Sequence, residues 1–360
     1  MKLSRPNSNS GIAIIIVMIC VTVLSIMVGA FAYSMRVETT LARNANAEAV
    51  FYPLAQSAVD YCKAVLAIDC REEPFDAKTQ FWAGGNTSTC SNDLFMAAQR
   101  TVDLGYGQFT WEMVDCESKA NINAADQPML DQAMRLQGID AADSGPLTAA
   151  ILDWIDRDKN PHLNGVESDF YESLDWPYKS KDAYMDDISE LKLLRSMTDE
   201  IYGMDEELPP PPPPSLREQL RLGFPEPQAR RAGLKDLFTP ISAGLININT
   251  ASTNVLQLVP FIDENTAQRI EECRNTQPFR NVGEGLLCAG LNQQVVGQIQ
   301  RYFTVRSATF EAKITVQVGA MKRDYTALIR RNNPRDIQVL SFHWKQPKPP
   351  AAPPSNADPR

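Results

Sequence analysis

The feature that most limits how this chain can fold is an uninterrupted apolar segment near its start. From Ile12 to Tyr33 there are 22 residues without an Asp, Glu, Lys, Arg or His. As an α-helix this segment is about 33 Å long, enough to cross a hydrocarbon core of about 30 Å. It is too long for a cleaved secretory peptide, whose apolar region spans about 7–15 residues. Lys2 and Arg5 precede it, so we expect a retained single-pass anchor with a cytoplasmic N-terminus.

The boundary between the polar leader, residues 1–11, and the apolar segment is sharp. Gly11 is followed directly by Ile-Ala-Ile-Ile-Ile. This junction resembles a type IV prepilin signal, a family in which a prepilin peptidase cuts after the glycine on the cytoplasmic side. The resemblance implies cleavage between Gly11 and Ile12, N-methylation of Ile12, and retention of residues 12–33 as a transmembrane helix in the inner membrane, with the head domain in the periplasm.

One position departs from that family. Ile16 stands at the fifth mature position, where major pilins and pseudopilins usually carry Glu. A carboxylate in the membrane costs several kcal/mol unless it is paired, and in the family it pairs with the terminal amine of the subunit above. A subunit without this Glu gains nothing from a neighbour above it, which suits the first subunit, at the tip.

The remaining pattern predicts one long helix and one sheet. The helical pattern continues after the span to about Val65, with Pro53 expected to kink the helix or break its hydrogen bonding locally. Residues 302–307, 310–318, 325–329 and 337–344 alternate between apolar and polar side chains, and residues 108–114 supply an earlier strand of the same type. We therefore expect an α+β fold of the type IV pilin kind, a long N-terminal helix on an antiparallel sheet, with a large inserted α-helical domain.

A repeated Asn-Ile-Asn motif marks two related modules in the insertion. Residues 120–125 and 246–252 carry the motif, and a helical pattern follows each copy. The second copy continues through residues 259–281 in a way that resembles the helix-hairpin-helix modules of DNA repair enzymes and of the competence DNA receptor. DNA binding by such a hairpin uses backbone N–H groups, but here Pro260 lacks one and Asp263 and Glu264 would face the phosphate. We favour a structural role and expect no nucleic acid partner.

The most acidic region lies between the two modules. Residues 150–207 contain 16 Asp or Glu and 6 Lys or Arg. Carboxylates at alternating positions, followed by an Asn-Gly turn and further acids, offer the oxygen ligands that Ca²⁺ prefers. A solvated acidic surface is the alternative, but these acids alternate with Trp154, Ile155, Phe170 and Tyr171, which favour burial. The expected Ca²⁺ ligands are Asp156, Asp158, Glu167 and Asp169, with Asp153 and Asn160 as further candidates.

Taken in order, these motifs resemble the type II secretion minor pseudopilin K family over roughly residues 11–330. The segments that carry the resemblance are DWIDRD, GVESDFY, SLDWPY and ISELKLL. The resemblance implies calcium in the insertion, a tip complex with minor pseudopilins I and J, contact with the major pseudopilin, and a role in protein export across the outer membrane. A DNA-binding competence-like protein and a minor pilin of a related type IV pilus are the alternatives.

We expect six segments along the chain. They are the leader (1–11), the transmembrane helix (12–33), the helix and first part of the pilin domain (34–117), the inserted helical domain (118–300) with modules at about 118–207 and 244–300, the C-terminal strands (301–346) and a Pro-rich tail (347–360). We expect the run Pro209–Pro214 to form a polyproline II spacer or an exposed loop within the insertion.

Seven cysteines and the absence of catalytic motifs complete the sequence prediction. Outside the span, the six cysteines form an even set in an oxidising compartment, with Cys273 and Cys288 expected to pair. Spacing leaves the remaining connectivity open, and Cys62–Cys70 with Cys90–Cys116 is the arrangement we expect.

A net charge of −9 argues against a general nucleic acid binder. The chain has no HExxH, GxSxG, Walker A or CxxC motif, so we expect no enzyme.

Overall fold

The computed structural model describes residues 10–85, 100–203 and 232–344. The first nine residues of the leader, Cys90, the run Pro209–Pro214 and the Pro-rich tail lie outside these ranges.

The chain begins with a single long helix. This helix, α1, runs from Ser10 to Glu72 and continues through Pro53. Its first half is exposed, and within the described residues it is the helix long and apolar enough to cross a membrane. From Ala47 onward the apolar residues at helical spacing are buried, among them Phe51, Leu54 and Ala58. The helix therefore has an uncovered apolar half and a half that packs as part of a folded head.

A five-stranded antiparallel sheet receives the second half of α1. The order of its strands is β1-β2-β7-β8-β9, with bounds Thr101–Asp103, Gln108–Asp115, Thr309–Val318, Met321–Asn333 and Asp336–Trp344. Phe109, Trp111 and Met113 of β2 point to the helix side, as do Phe310, Ile314 and Val316 of β7, in agreement with the alternation in the sequence. Since β2 pairs directly with β7, everything between these strands is an insertion into the sheet. The α+β fold with a long N-terminal helix on an antiparallel sheet is confirmed.

The insertion has its own apolar core, made mostly by short helices. These helices are α2 (Gln127–Leu136), α3 (Ala141–Ile155), α4 (Ser168–Glu172), α5 (Asp199–Tyr202), α6 (Leu234–Leu237), α7 (Thr253–Leu256), α8 (Glu264–Thr276), α9 (Val282–Cys288) and α10 (Gln293–Ile299). The described residues also form short 3₁₀ helices, which are Phe81–Ala83 before the insertion and Cys116–Ser118, Ile122–Ala124, Ile188–Leu193 and Gln300–Tyr302 after β2.

Two short parallel strand pairs close the two modules of the insertion in the same way. The first module opens with β3 (Ala120–Asn121), which pairs with β4 (Phe238–Thr239). The second opens with β5 (Ile246–Asn247), which pairs with β6 (Phe303–Thr304). In each module the strand that carries the start of the Asn-Ile-Asn motif thus pairs with the strand that ends the module. The strand that ends the first module, β4, lies beyond residue 207, which was its expected last residue.

The asparagines of the Asn-Ile-Asn motif make equivalent hydrogen bonds in the two modules. The first Asn of each motif accepts a hydrogen bond from the backbone N–H of the second, at 2.8 Å in the first module and 3.0 Å in the second. The second Asn then pairs through its amide with both backbone groups of one distant residue. These pairs are Asn123 with Met185 and Asn249 with Phe279. The motif is therefore a structural device that ties the start of each module to a loop within it.

A buried ion pair lies where α1, the sheet and the insertion meet. Arg331 of β8 contacts the carboxylate of Asp76 at 2.5 Å, and both side chains are about 1% exposed. Arg331 also reaches Asp69 of α1 at 3.3 Å. The Asp76 carboxylate accepts a hydrogen bond from the backbone N–H of Ser307, and Arg331 donates to the carbonyl of the same residue. The arginine therefore joins the end of α1 to the strand that leaves the insertion.

A second buried carboxylate, Asp115 at the end of β2, extends this junction into the second module. Its Oδ2 atom accepts hydrogen bonds from Asn247, Thr250 and Ser307 at 3.2, 2.5 and 2.7 Å. Burial raises the pKa of Asp115 well above its ordinary value, and the nearby Glu117 adds to this. The first Asn of the second motif thus connects the sheet to the insertion, and we name the cluster of Asp76, Arg331, Asp115, Asn247 and Ser307 the polar junction.

The cysteines are paired only in part as the sequence suggests. Cys273 and Cys288 form a disulfide that links α8 to α9. The pairing of Cys62 with Cys70 is wrong, because both lie on α1 and are free. Eight residues along a helix separate their Cα atoms by about 12 Å, beyond the roughly 7 Å limit for a disulfide. Cys116 has no disulfide partner among the described residues, and its expected partner, Cys90, lies outside them, so this pairing stays a prediction.

We expect the Arg331→Met variant to lose about 3–5 kcal/mol of unfolding free energy, because it leaves the buried Asp76 carboxylate without a counter-charge. Denaturant unfolding of the full chain in detergent measures this loss. The control is Glu48→Gln, which removes the exposed partner of Arg323 and costs at most about 1 kcal/mol. Equal losses in the two variants contradict a special role for the buried pair.

Candidate metal centre

The acidic segment folds into a loop between α3 and α4. Asp153 lies in the last turn of α3, Asp156 directly follows this helix, and α4 begins one residue after Glu167. The two ends of the loop are held together by Trp154, which is buried and packs edge-on against Tyr171 with ring centroids 5.6 Å apart. The aromatic residues that interrupt the acidic pattern are thus the ones that bring the carboxylates together.

Asp153 and His162 form the inner part of the site. Asp153 is fully buried, and its Oδ1 atom accepts a hydrogen bond from the backbone N–H of His162 at 2.9 Å. The same oxygen lies 2.5 Å from Nδ1 of the His162 ring, and an oxygen of Asp156 lies 3.6 Å from that nitrogen. The hydrogen bond to Asp153 raises the pKa of His162 above its ordinary value.

Two groups of potential ligands share one residue. Ligand atoms of Asp153, Asp156 and His162 lie within 4.8 Å of one another, and so do those of Asp156, Asp158 and Glu167. We call these groups the histidine triad and the carboxylate triad. Asp156 belongs to both, so the two triads are adjacent parts of one centre.

Several carboxylate oxygens of this centre have no hydrogen-bond partner within the described ranges. They are Oδ2 of Asp153, Oδ1 of Asp156 and both oxygens of Glu167, and all are buried. Burial, with a contribution from the charge of Asp153, raises the pKa of Glu167 to about 7. Buried carboxylates without donors need a cation or a proton, and a set of only oxygen ligands in the carboxylate triad fits Ca²⁺.

The structure brings together most of the expected ligands. Asp153, Asp156, Asp158 and Glu167 belong to the centre. Asp169 is exposed and belongs to neither triad, and Asn160 uses its amide to bind Asp158 at 3.1 Å. Asp169 therefore lies apart from the other expected ligands, whereas Asn160 lies beside Asp158 and stays a predicted ligand. His162 was not predicted, since nothing in its sequence neighbourhood shows that the loop folds it back onto Asp153.

Gly165 lets the loop approach Asp153. A Cβ atom on Gly165 would lie 1.9 Å from Oδ2 of Asp153, far inside van der Waals contact. Because Gly165 has no side chain, the backbone of the loop can lie directly against the unpartnered Oδ2 atom of Asp153.

The surface of the helix-hairpin-helix turn at Phe261 and Asp263 differs from that of a phosphate-binding site. Phe261 has a φ of 69° and is 63% exposed. Asp263 accepts a hydrogen bond from the backbone N–H of Thr266 at 2.8 Å and so caps α8. A carboxylate therefore occupies the helix N-terminus that a phosphate would approach, which opposes the binding of DNA at this turn.

Two protein-family models match segments of this chain, one around the first module and one at the second. A family model described as type II secretion system (T2SS), protein K matches residues 111–204, which include the acidic loop. A second model, described as the helix-hairpin-helix motif, matches residues 242–304, the second module.

Individual relatives cover most of the chain. A type II secretion system protein K of Pectobacterium carotovorum subsp. carotovorum is 26% identical over 258 residues, with 66% of this chain and 70% of the relative covered. One of Klebsiella pneumoniae is 22% identical over 337 residues, with 89% and 92% covered. In fold, a chain of the GspK-GspI-GspJ complex from the type 2 secretion system of enterotoxigenic Escherichia coli superposes with a TM-score of 0.61 and 18% identity, covering 86% of this chain and 99% of that chain.

We expect Gly165→Ala to destabilise the protein by about 1–3 kcal/mol, because the added methyl group forces the loop away from Asp153. Urea unfolding of the full chain in detergent measures the change. Gly297→Ala is the matched control, since a Cβ there meets nothing within 4 Å and alanine in a helix gains about 0.5–1 kcal/mol. A Gly165→Ala variant as stable as the wild type contradicts the close approach.

Proposed function

We propose that the chain is a member of the type II secretion protein K family, that it acts as the minor pseudopilin at the tip of the type II secretion pseudopilus, and that it takes part in protein export across the outer membrane. The observation that carries this proposal is the continuity of α1, whose exposed apolar half leads without interruption into the half packed on the sheet. Such a helix couples a membrane anchor rigidly to a head domain. The relatives described above are components of a secretion system rather than enzymes.

The anchor and its processing follow from the N-terminal sequence. We propose that the prepilin peptidase cuts between Gly11 and Ile12, that Ile12 is then methylated, and that residues 12–33 remain in the inner membrane with the head in the periplasm. Lys2 and Arg5 support a cytoplasmic N-terminus. Ile16 in place of Glu supports the tip position, because a subunit with none above it has no use for that carboxylate.

The partners we propose are minor pseudopilins I and J, with the major pseudopilin below them. The support is the structural likeness to a chain of a complex that contains GspI and GspJ. The insertion contacts the head near the C-terminal end of α1, through Asn247 and the chain at Asp76, and a large domain there favours a position with no subunit above.

We propose that Ca²⁺ binds the carboxylate triad of Asp156, Asp158 and Glu167. The support is the set of buried oxygens without donors and the raised pKa of Glu167. Bound there, the cation supplies the positive charge that these carboxylates lack, and so stabilises the loop between α3 and α4. The role we propose for it is structural, because it would join the end of α3 to the start of α4.

A DNA receptor is the second candidate, because the helix-hairpin-helix model matches residues 242–304. Pro260, the exposed Phe261 and the capping Asp263 argue against it. A mobility-shift assay with duplex DNA at low salt separates the two functions, since a hairpin that binds phosphates gives a salt-sensitive shift. A minor pilin of a related type IV pilus is the remaining alternative. Co-purification of the chain with pseudopilins I and J distinguishes a pseudopilin from such a pilin.

We expect the mature protein to begin at Ile12, because the peptidase recognises the junction between the polar leader and the apolar helix. N-terminal mass spectrometry of protein purified from membranes identifies this end. The Gly11→Leu variant keeps its leader, whereas Gly29→Leu, a change within the same apolar helix and in open space, is processed normally. A mature protein that begins after Ala32 and is found in the medium would rule out the anchored pseudopilin.

We expect Ca²⁺ at about 100 times its dissociation constant to stabilise the full chain by about 2.7 kcal/mol, and a chelator to remove this gain. Thermal unfolding in detergent is the measurement. Asp158→Asn, a change to an exposed side chain of the carboxylate triad, abolishes the calcium effect, and Asp169→Asn retains it because Asp169 lies outside the triad. If calcium leaves the transition of the wild type unchanged, the proposed site is wrong.

A further inference from the structure

The polar junction and its surroundings contain more acids than bases. The carboxyl groups of Asp69 and Asp76 both contact the guanidinium of Arg331, at 3.3 and 2.5 Å. Asp115 and Glu117 lie close by and are 3% and 1% exposed. One arginine balances one negative charge, and a buried carboxyl group without a counter-charge keeps its proton. We therefore expect at least one of these four groups to hold a proton in the folded head.

The hydrogen bonds indicate which carboxyl group holds it. Both oxygens of Asp76 accept hydrogen bonds from Arg331. Both oxygens of Asp115 are also acceptors, and so are both oxygens of Glu117. Asp69, in contrast, meets Arg331 through one oxygen and at a longer distance. Because hydrogen bonds from N–H and O–H donors favour the charged form of a carboxyl group, Asp69 is the group best able to keep a proton.

Asp69 also has an acceptor for that proton. Its side chain hydrogen-bonds the side chain of Asp76, and a hydrogen bond between two carboxyl groups requires a proton on one of them. Burial raises the pKa of Asp69 to about 8, and the charge of Asp76 adds to this, although Arg331 opposes it. The chemistry of the pair therefore agrees with the count of charges.

The remaining charged and titratable groups near this pair do not supply a second counter-charge. They are Cys70 of α1, Lys78 in the segment after α1, Asp115 and Glu117 at the end of β2, Glu271 and Arg274 of α8, and Arg306 before β7. Arg306 donates to Cys70, and Arg274 donates to Glu271. Burial lowers the pKa of Lys78. Arg331 is therefore the group that balances Asp69 and Asp76 together.

We propose that Asp69 and Asp76 share one proton at neutral pH, and that loss of this proton in alkaline medium weakens the attachment of α1 to β8 and to the insertion. With the proton, the pair carries one negative charge, which Arg331 balances. Without it, two buried carboxylates face one guanidinium. Asp69 belongs to α1, and Asp76 is bonded to Ser307 on the segment that leaves the insertion, so the repulsion acts where these parts meet. This pH dependence needs neither Ca²⁺ nor a partner subunit and goes beyond the proposed function.

Denaturant unfolding of the full chain in detergent, from about pH 5 to about pH 9, tests the proposal. Above the ordinary pKa of about 4, the unfolded chain has lost the proton that folded Asp69 keeps, so a rise in pH favours unfolding. We expect the unfolding equilibrium constant of the wild type, relative to that of Asp69→Asn, to rise about tenfold per pH unit between about pH 5 and about pH 7 and to level off above about pH 8.

The asparagine of Asp69→Asn donates an N–H to Asp76 as the protonated carboxyl group does. We therefore expect this variant to be more stable than the wild type at about pH 9 and to lose this advantage as the pH falls. Asp60→Asn, a change to an exposed acid on the same helix, is the matched control and keeps the pH dependence of the wild type.

Infrared spectroscopy of the folded protein observes the proton directly through the C=O stretch of a protonated carboxyl group. The background for this measurement is Glu167→Gln, which removes a carboxyl group of the acidic loop whose pKa is raised to about 7. We expect the band at neutral pH, its loss above about pH 8, and its absence when Asp69→Asn is added. The titration itself needs no change at Asp69. A pH dependence that Asp69→Asn retains, no band at neutral pH, or a band removed by Asp115→Asn and kept in Asp69→Asn overturns the proposal.

Discussion

The contact between Arg331 and Asp76 is the interaction on which the arrangement of this molecule depends. Both groups are buried, and the loss of either one leaves a charge in a medium of low polarity. The pair fixes the segment after α1 against β8, and Arg331 also contacts Asp69 of α1. Ser307 and Asn247 continue the hydrogen bonding into the second module. Because the polar junction joins sheet and insertion and Arg331 reaches α1 as well, the same arginine links helix, sheet and insertion.

The metal centre meets the same physical requirement by different means. In the polar junction an arginine neutralises the buried carboxylates, and hydrogen bonds from Thr250 and Ser307 satisfy Asp115. In the acidic loop, His162 is the group of the two triads able to carry a positive charge, and four carboxylate oxygens have no donor among the described residues. Divalent cations bound there would neutralise these carboxylates, and the stability of the loop would then depend on the cation concentration.

The helix-hairpin-helix module illustrates how a fold is kept while its surface changes. The Asn-Ile-Asn motif retains an internal role in both copies, because each second Asn pairs with the backbone of one distant residue. The turn at Phe261 and Asp263, in contrast, presents an aromatic ring and a carboxylate where DNA-binding relatives present backbone amides. The sequence predicted this difference correctly, since the absence of a proline N–H and the sign of a side-chain charge are local properties.

Local chemistry also determined most of the fold. The apolar run at 12–33 required a long exposed helix, the period-two patterns at 108–114 and 310–318 required strands, and the acids near Asp156 predicted a cation site, because each depends on residues close in the chain. The tertiary structure alone decided which distant groups meet. It placed Asp115 against Asn247, folded His162 back onto Asp153, left Asp169 at the surface and kept Cys62 apart from Cys70. Periodicity reports which face of an element is buried, but the partner of a buried polar atom depends on the path of the whole chain.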